Sequence, residues 1–254
     1  MNINFQGIMA VINDTHNPFQ DQRALREVEL FLTELQPGLI IKAGDLCDFY
    51  PLSKFSQNPN RKDTLQSDLD STHHMNTRQR NLAPNSRQIL IDGNHEARLQ
   101  RYLWSTAKEL ASLRDLNIEK QYGLTENEIE HVDYEEGVLI NGTFMVTHSD
   151  LIRAHSGYTA KGMSDKHGGS GMHGHTHRLG SYYKRDRFGI YGWWENGCLC
   201  SLDPDWIQNP NWQQGFSLVH FTKERFWVEQ CQIINRRFMY GGKVYGSGGK
   251  KRLT

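Results

Sequence analysis

One recurrence constrains this chain more than any other feature: short apolar runs keep ending in residues able to bind a metal ion. Ile8-Met9-Ala10-Val11-Ile12 runs into Asn13-Asp14-Thr15-His16, and Leu39-Ile40-Ile41 into Gly44-Asp45. Ile89-Leu90-Ile91 runs into Gly93-Asn94-His95-Glu96, and Phe144-Met145-Val146 into Thr147-His148. Short β-prone runs bounded by Gly, Asn and Asp predict buried strands. Sheets with helical crossovers collect their active sites at strand ends. A chain with Asp, Asn and His at successive strand ends can bring them together at one edge.

The stretches between these runs set the organisation. From Asp21 to Leu35, Leu25, Val28, Leu32 and Leu35 recur at helical spacing and Pro37-Gly38 stops them, a β-α-β beginning. Residues 51–86 are polar and carry Pro51, Pro59 and Pro84, which predicts an irregular or helical insertion beside the site. Residues 96–114 read as helical. From about 137 the pattern changes to short strands over 137–148, 181–196 and 216–234, a second and mostly β half. We expect one domain over residues 1–245 and a flexible basic tail over 246–254.

Composition removes several classes. The apolar fraction of 37%, with 23 glycines, excludes a disordered chain. No apolar run approaches the roughly 20 residues of a membrane span, so no membrane partner is expected. The N-terminal residues have no basic region ahead of an apolar one, so no signal peptide is expected. The four cysteines, Cys47, Cys198, Cys200 and Cys231, are too sparse for a disulfide framework, which points to reduced thiols in a cytoplasm. With 29 basic and 29 acidic residues there is no net field to attract nucleic acid. Residues 150–190, however, hold seven bases against three acids.

The metal-capable residues are Asp14, His16, Asp45, Asn94 and His148, joined by His175 and His177 from Gly174-His175-Thr176-His177. This mixed nitrogen and oxygen set, without thiolate, suits Mn, Fe or Zn better than Ca or Mg. Asp-x-His and His-x-His pairs put both side chains on one face of an extended segment. Seven ligands are too many for one tetrahedral zinc and suit two metals sharing a carboxylate. Two ions roughly 3.5–4 Å apart clamp the attacking and leaving oxygens of an in-line phosphoryl displacement, and a bridging water between them is acidic enough to act as hydroxide.

In this order, Asp14-Thr15-His16, Gly44-Asp45-Leu46-Cys47-Asp48, Gly93-Asn94-His95-Glu96, Thr147-His148-Ser149 and Gly174-His175-Thr176-His177 resemble the calcineurin-like metallophosphoesterases. The resemblance implies an α+β fold, a two-sheet β-sandwich flanked by helices. It implies that Asp14, His16 and His177 hold one metal, Asn94, His148 and His175 the other, and that Asp45 bridges them. His95 would lie above the cluster and protonate the leaving oxygen, with Asp48 orienting it as in the phosphoprotein phosphatase branch. The cofactor implied is two divalent ions, manganese first, with iron, zinc or nickel as alternatives.

Departures narrow the reading. Phosphoprotein phosphatases carry Arg-Gly after the second aspartate of this GDxxD, and here Phe49-Tyr50 stand there. Glu96, where nuclease-like members often have Asp, is uninformative. The stretches from Ser156 to Arg178 and from Trp193 to Cys198 resemble viral and bacterial members of unassigned substrate, consistent with a virus-encoded protein acting in a bacterial cytoplasm.

Arg98, Arg178 and Lys161, with His155 and Lys166 behind them, are candidates for gripping the substrate phosphate; charged surface is the plain alternative. Trp193, Trp194, Trp206, Trp212 and Tyr158 could stack on bases, although tryptophans in a β-rich half ordinarily form core. Cys198-x-Cys200 could be a metal or redox pair, but core use explains it better. His73, His74 and His131 are expected in solvent, and His173 in packing. The activity expected is hydrolysis of a phosphodiester in a nucleotide or nucleic acid by a metal-bridged hydroxide. A phosphomonoesterase on nucleotides or phosphoproteins is the alternative, and a non-catalytic scaffold of the same fold a remote one. Oligomeric state is left open.

Overall fold

The structure is a computed structural model that describes residues 1–55, 57–205 and 207–247. Trp206 and the tail from residue 248 onward lie outside the described residues. In chain order the strands begin β1 (Asn2–Ile3), β2 (Gly7–Ile12), β3 (Leu39–Ala43), β4 (Arg87–Ile91), β5 (Ile129–Val132), β6 (Gly137–Ile140) and β7 (Phe144–Thr147). They continue as β8 (Ser170–His173), β9 (Leu179–Asp186), β10 (Gly189–Asn196), β11 (Gly215–Phe221), β12 (Phe226–Gln232), β13 (Phe238–Tyr240) and β14 (Lys243–Tyr245). The helices are α1 (Gln22–Leu35), α2 (Leu65–Leu82), α3 (Ala97–Thr106), the single turn α4 (Ile118–Gln121) and α5 (Tyr158–His167).

Two mixed six-stranded sheets result, one ordered β12-β11-β2-β3-β4-β5 and the other β1-β6-β7-β8-β10-β9, with β13 and β14 as a separate pair. Side-chain alternation explains why β2, β3 and β4 are apolar on both faces. Met9, Val11, Leu39, Ile41, Ile89 and Ile91 turn toward Val138, Ile140, Phe144, Val146 and Met172 of the other sheet. Ala10, Ile12, Ile40 and Leu90 turn the other way, onto Leu25, Val28 and Leu32 of α1. The far face of the second sheet is covered by α5, whose Ala160 and Met163 pack on Trp193. The chain is therefore an α+β sandwich flanked by helices.

Helix α1 starts where expected, because the Asp21 carboxylate accepts from the amides of Arg23 and Ala24. The 51–86 region is both irregular and helical: a short turn at Tyr50–Leu52, then loop, then α2 behind a Thr64/Ser67 capping box. Each of the ranges 137–148, 181–196 and 216–234 holds an antiparallel pair, β6–β7, β9–β10 and β11–β12; in the first, Asn141 (φ 53°) and Gly142 (φ 65°) turn the chain back. Strand β5 escaped the sequence because Glu130 and His131 interrupt its apolar residues.

Lys42 of β3 is wholly buried, its ammonium donating to Asn76 Oδ1 at 2.7 Å. Burial, then the Arg80 charge, push it down to about 7. An unfolded lysine titrates near 10.4, so between those values the unfolded chain holds more protons and stability rises with pH. Below about pH 7 the full cost of the buried charge is present. Lys42→Met should raise the unfolding free energy at pH 7 by about 2 kcal/mol or more and remove the rise between pH 7 and 10. Urea unfolding at both ends of that range measures it; an unchanged slope in the variant would refute the assignment.

Candidate metal centre and cleft

The loops leaving β2, β3, β4, β7 and β8 carry the seven candidate ligands to one edge of the sandwich. Their backbone is unusual. Asp14 (φ 51°), His16 (φ 48°), Asp45 (φ 53°), His175 (φ 83°) and His177 (φ 56°) all sit in the left-handed region. Each such residue costs on the order of 1 kcal/mol or more, and such strain concentrates where geometry serves function. Glycine is required beside them: a Cβ at Gly93 would overlap Asp45 Oδ1, and one at Gly44 would overlap His148 Nδ1.

The side chains form two groups. Asp14, His16, Asp45 and His177 offer ligand atoms within 4.8 Å of one another, and so do Asp45, His148 and His175. Asp45 belongs to both. Asn94 joins the second group through Oδ1, 3.1 Å from His148 Nε2. The ring nitrogens are aimed consistently. His148 donates from Nδ1 to the Ala43 carbonyl at 2.8 Å, and His16 Nδ1 lies 3.1 Å from Asp48 Oδ2. Their Nε2 atoms are thereby turned to the centre, where His16 Nε2 and His177 Nε2 stand only 2.9 Å apart. Asp14 Oδ1 is buried and accepts no hydrogen bond. Burial raises a carboxyl's pKa, yet His177 and His16 beside Asp14 hold it well below the usual carboxylate range. His148 is pulled down by burial but raised to about 9 overall by Asp45. Burial and then the His148 charge hold His175 down to about 4. Ionised buried carboxylates, facing imidazole nitrogens and an orphaned oxygen are the donor set a pair of divalent cations requires, and the residues fit that cofactor.

His95 stands at the mouth of the centre, its Nε2 3.9 Å from Asp45 Oδ2. Its Nδ1 donates to the Asp48 backbone carbonyl at 2.7 Å, whereas the Asp48 carboxylate is 3.5 Å away and closer to His16. Arg98 Nη2 donates to His95 Nε2 at 2.9 Å and Nη1 to the Asp48 carbonyl at 2.8 Å. Arginine can only donate, so the His95 proton is on Nδ1. Burial, with His16 and Arg98 adding to it, lowers His95 to about 4 against the pull of Asp45.

A cleft of about 800 Å³ opens above, lined by His16, Asp45, Asp48, Asn94, His95, Arg98, His175, His177 and Arg178, and walled by Phe19, Tyr50, Phe55, Ile152, Ile207 and Trp212. Two of the three candidate phosphate-binding cations reach it. Lys161 does not line it; its Nζ is held by Asp165, one turn on along α5, at 2.6 Å. Lys166 pairs with Asp150 at 2.7 Å. Arg178 Nη1 donates to the Arg153 carbonyl. Trp193 and Trp194 are core, and Trp212 meets the His177 ring edge-on at 4.3 Å. Cys198 and Cys200 are buried free thiols, with Cys200 Sγ 3.9 Å from His177 Nδ1. His131, expected in solvent, is largely buried because β5 pairs with β4 and brings it 2.9 Å from Asp92.

Residues 9–227 match the family described as calcineurin-like phosphoesterase. The chain belongs to that family. The Gene 54 proteins of Mycobacterium phages D29 and L5 are each 26% identical to this phosphoesterase, over 265 and 259 residues, covering 93% of it and 98% of their own length. Among solved structures, Vps29 of Chaetomium thermophilum aligns with a TM-score of 0.46 at 10% identity, over 90% of this chain and 86% of its own. Vacuolar Protein Sorting 29 of Cryptosporidium parvum does so with 0.46 at 12% identity, over 94% and 95%. Among the described residues no helix is long and apolar enough to cross a membrane.

Two buried glutamates hold the phosphoesterase loops in place and escaped the sequence. Glu96 accepts from the amides of Asp45, Leu46, Cys47 and Gly93 and from the Tyr122 hydroxyl. Glu195 of β10 accepts from the Gly157 and Ala160 amides at the start of α5 and from the Thr176 hydroxyl between His175 and His177. The signal for Glu96 was its place beside the GNH motif. Glu195 had none, since it reads as one more residue of a strand.

Proposed function

We propose that this protein is a dinuclear metal-dependent phosphodiesterase acting on nucleotides or nucleic acid. The observation that carries the reading is the shared carboxylate, Asp45, common to the Asp14–His16–His177 group and the His148–His175 group. Two divalent ions, manganese first and iron, zinc or nickel as alternatives, would polarise the phosphoryl oxygens and acidify the attacking water. Asp14, His16 and His177 would hold one ion, Asn94, His148 and His175 the other. The chain's own residues do the rest. His95 stands beside the reacting phosphate with its Nδ1–H held by the Asp48 carbonyl; once Arg98 turns to the substrate, the bare Nε2 takes a proton from water and passes it to the departing oxygen. Arg98 and Arg178 bind phosphate oxygens.

A diester is favoured because a monoester dianion needs more positive charge than this cleft offers. Phe49 and Tyr50 occupy the place of the phosphatase arginine, and both cleft arginines are partly engaged by backbone carbonyls. Phosphomonoester hydrolysis is the second reading. As the relatives are phage proteins, the reaction is proposed to run in a bacterial host cytoplasm. The test is hydrolysis of bis-(p-nitrophenyl) phosphate against p-nitrophenyl phosphate with Mn²⁺ supplied. The diester should be the better substrate by about 10-fold or more, which is some 1.4 kcal/mol of transition-state binding. Monoester preference overturns the choice, and a protein that binds no metal overturns the enzyme.

A further inference from the structure

We infer that the cleft contains a subsite for one unstacked nucleobase, so that the substrate is single-stranded, or a free nucleotide ester, rather than base-paired duplex; this rests on the phosphodiesterase reading above. The observations are three apolar side chains that ought to be buried and are not. Phe55 is 69% exposed, Ile152 59% and Ile207 42%, on three separate irregular segments, and all three turn to the same cleft. Exposed apolar groups scattered singly mean little, but a set converging on one concave site marks a ligand surface.

The same wall carries three further aromatic rings, Phe19, Tyr50 and Trp212. Phe19 and Tyr50 lie with the Arg61 guanidinium 4.2 and 4.6 Å from their ring centroids, which holds both in place. Trp212 touches the His177 ring, so the wall adjoins the candidate metal ligands directly. A group packed on it would lie beside a phosphate held at those ligands. Aromatic faces beside Arg98 and Arg178 are the combination that stacks a base and holds its phosphate.

Size and access set the strand preference. A volume of about 800 Å³ encloses a small-molecule-sized group. A base inside a duplex has both faces covered by neighbours and reaches such a wall only by leaving the stack, at an energetic cost that a single strand largely avoids.

The experiment is fluorescence anisotropy of a fluorescein-labelled oligothymidylate in EDTA, which reads binding without turnover, competed with unlabelled single strand or with the same strand paired to oligoadenylate. Single strand should compete at least about 10-fold better than duplex, and Phe55→Ala should weaken binding by about 10-fold. Phe55→Tyr should restore it. Phe55 is exposed, so its loss leaves the core intact. Equal competition by duplex, or unchanged binding by Phe55→Ala, overturns the subsite. Hydrolysis of bis-(p-nitrophenyl) phosphate by the same preparations separates the two readings. Metal-dependent hydrolysis without strand discrimination removes the subsite and leaves the phosphodiesterase. Discrimination without hydrolysis removes the phosphodiesterase and leaves a single-strand-binding cleft.

Discussion

Asp45→Asn should reduce metal-dependent diester hydrolysis by about 10³-fold or more and lower bound metal from two ions per chain to one or none. Asp45 is the residue on which the two ligand groups meet, so its charge would be shared by both ions. Asn is the informative replacement because it keeps everything else. It tolerates the left-handed backbone that Asp45 adopts at φ 53°. Its amide oxygen can still accept the His95 amide, which donates to Asp45 Oδ1 at 2.9 Å. What disappears is the negative charge between His16, His95 and His148, the side chains that help hold the Asp45 carboxyl ionised against burial. A bridging site for two cations needs that charge, and loss of several kcal/mol of transition-state stabilisation follows at ~1.4 kcal/mol per tenfold in rate. Metal analysis and the diester assay read the two effects separately. Two retained ions and activity within tenfold of wild type would end the reading of Asp45 as the carboxylate both ions share.

Much of this arrangement is legible in the sequence, for a physical reason. Strands such as Leu39–Ala43 are buried on both faces, so their apolar runs stand out whatever their neighbours do. The ligand candidates stand at the ends of such runs, and convergence follows once the strands lie side by side. What the sequence hides depends on contacts between distant segments. Glu96 follows a motif histidine and looks like any acid opening a helix; only the folded chain shows it under the β3 loop, fifty residues earlier in sequence for Leu46. Phe55, Ile152 and Ile207 come from segments without periodicity, so nothing in the pattern joins them. Lys161 shows the reverse error. Its charge suggests phosphate binding, while the i, i+4 pairing with Asp165, a property of the helix rather than of the cleft, turns it elsewhere.

Glu96 also offers the sharpest test of how the centre is held. Its two oxygens take five donors: Oε2 accepts from Asp45 at 2.9 Å and Gly93 at 2.8 Å, and Oε1 from Leu46 at 2.8 Å, Cys47 at 3.3 Å and the Tyr122 hydroxyl at 2.9 Å. Every partner is a donor, so no orientation of a glutamine fits. Whichever way its amide turns, its NH₂ faces two backbone amides. Each buried donor left without an acceptor costs about 1–3 kcal/mol, and total stability is only about 5–15 kcal/mol. Glu96→Gln, an almost isosteric change, should therefore cost about 2–5 kcal/mol of unfolding free energy. It should also weaken metal binding by about 10–100-fold, because the displaced amides belong to the loops that aim Asp45 and Asn94. An ordinary surface glutamate gives neither effect. Denaturant unfolding measures the first and metal titration the second. A variant as stable as wild type would show that the carboxylate is replaceable and that the loops hold Asp45 by themselves. A stability loss with unchanged metal affinity would separate the two roles and leave Glu96 a structural anchor alone.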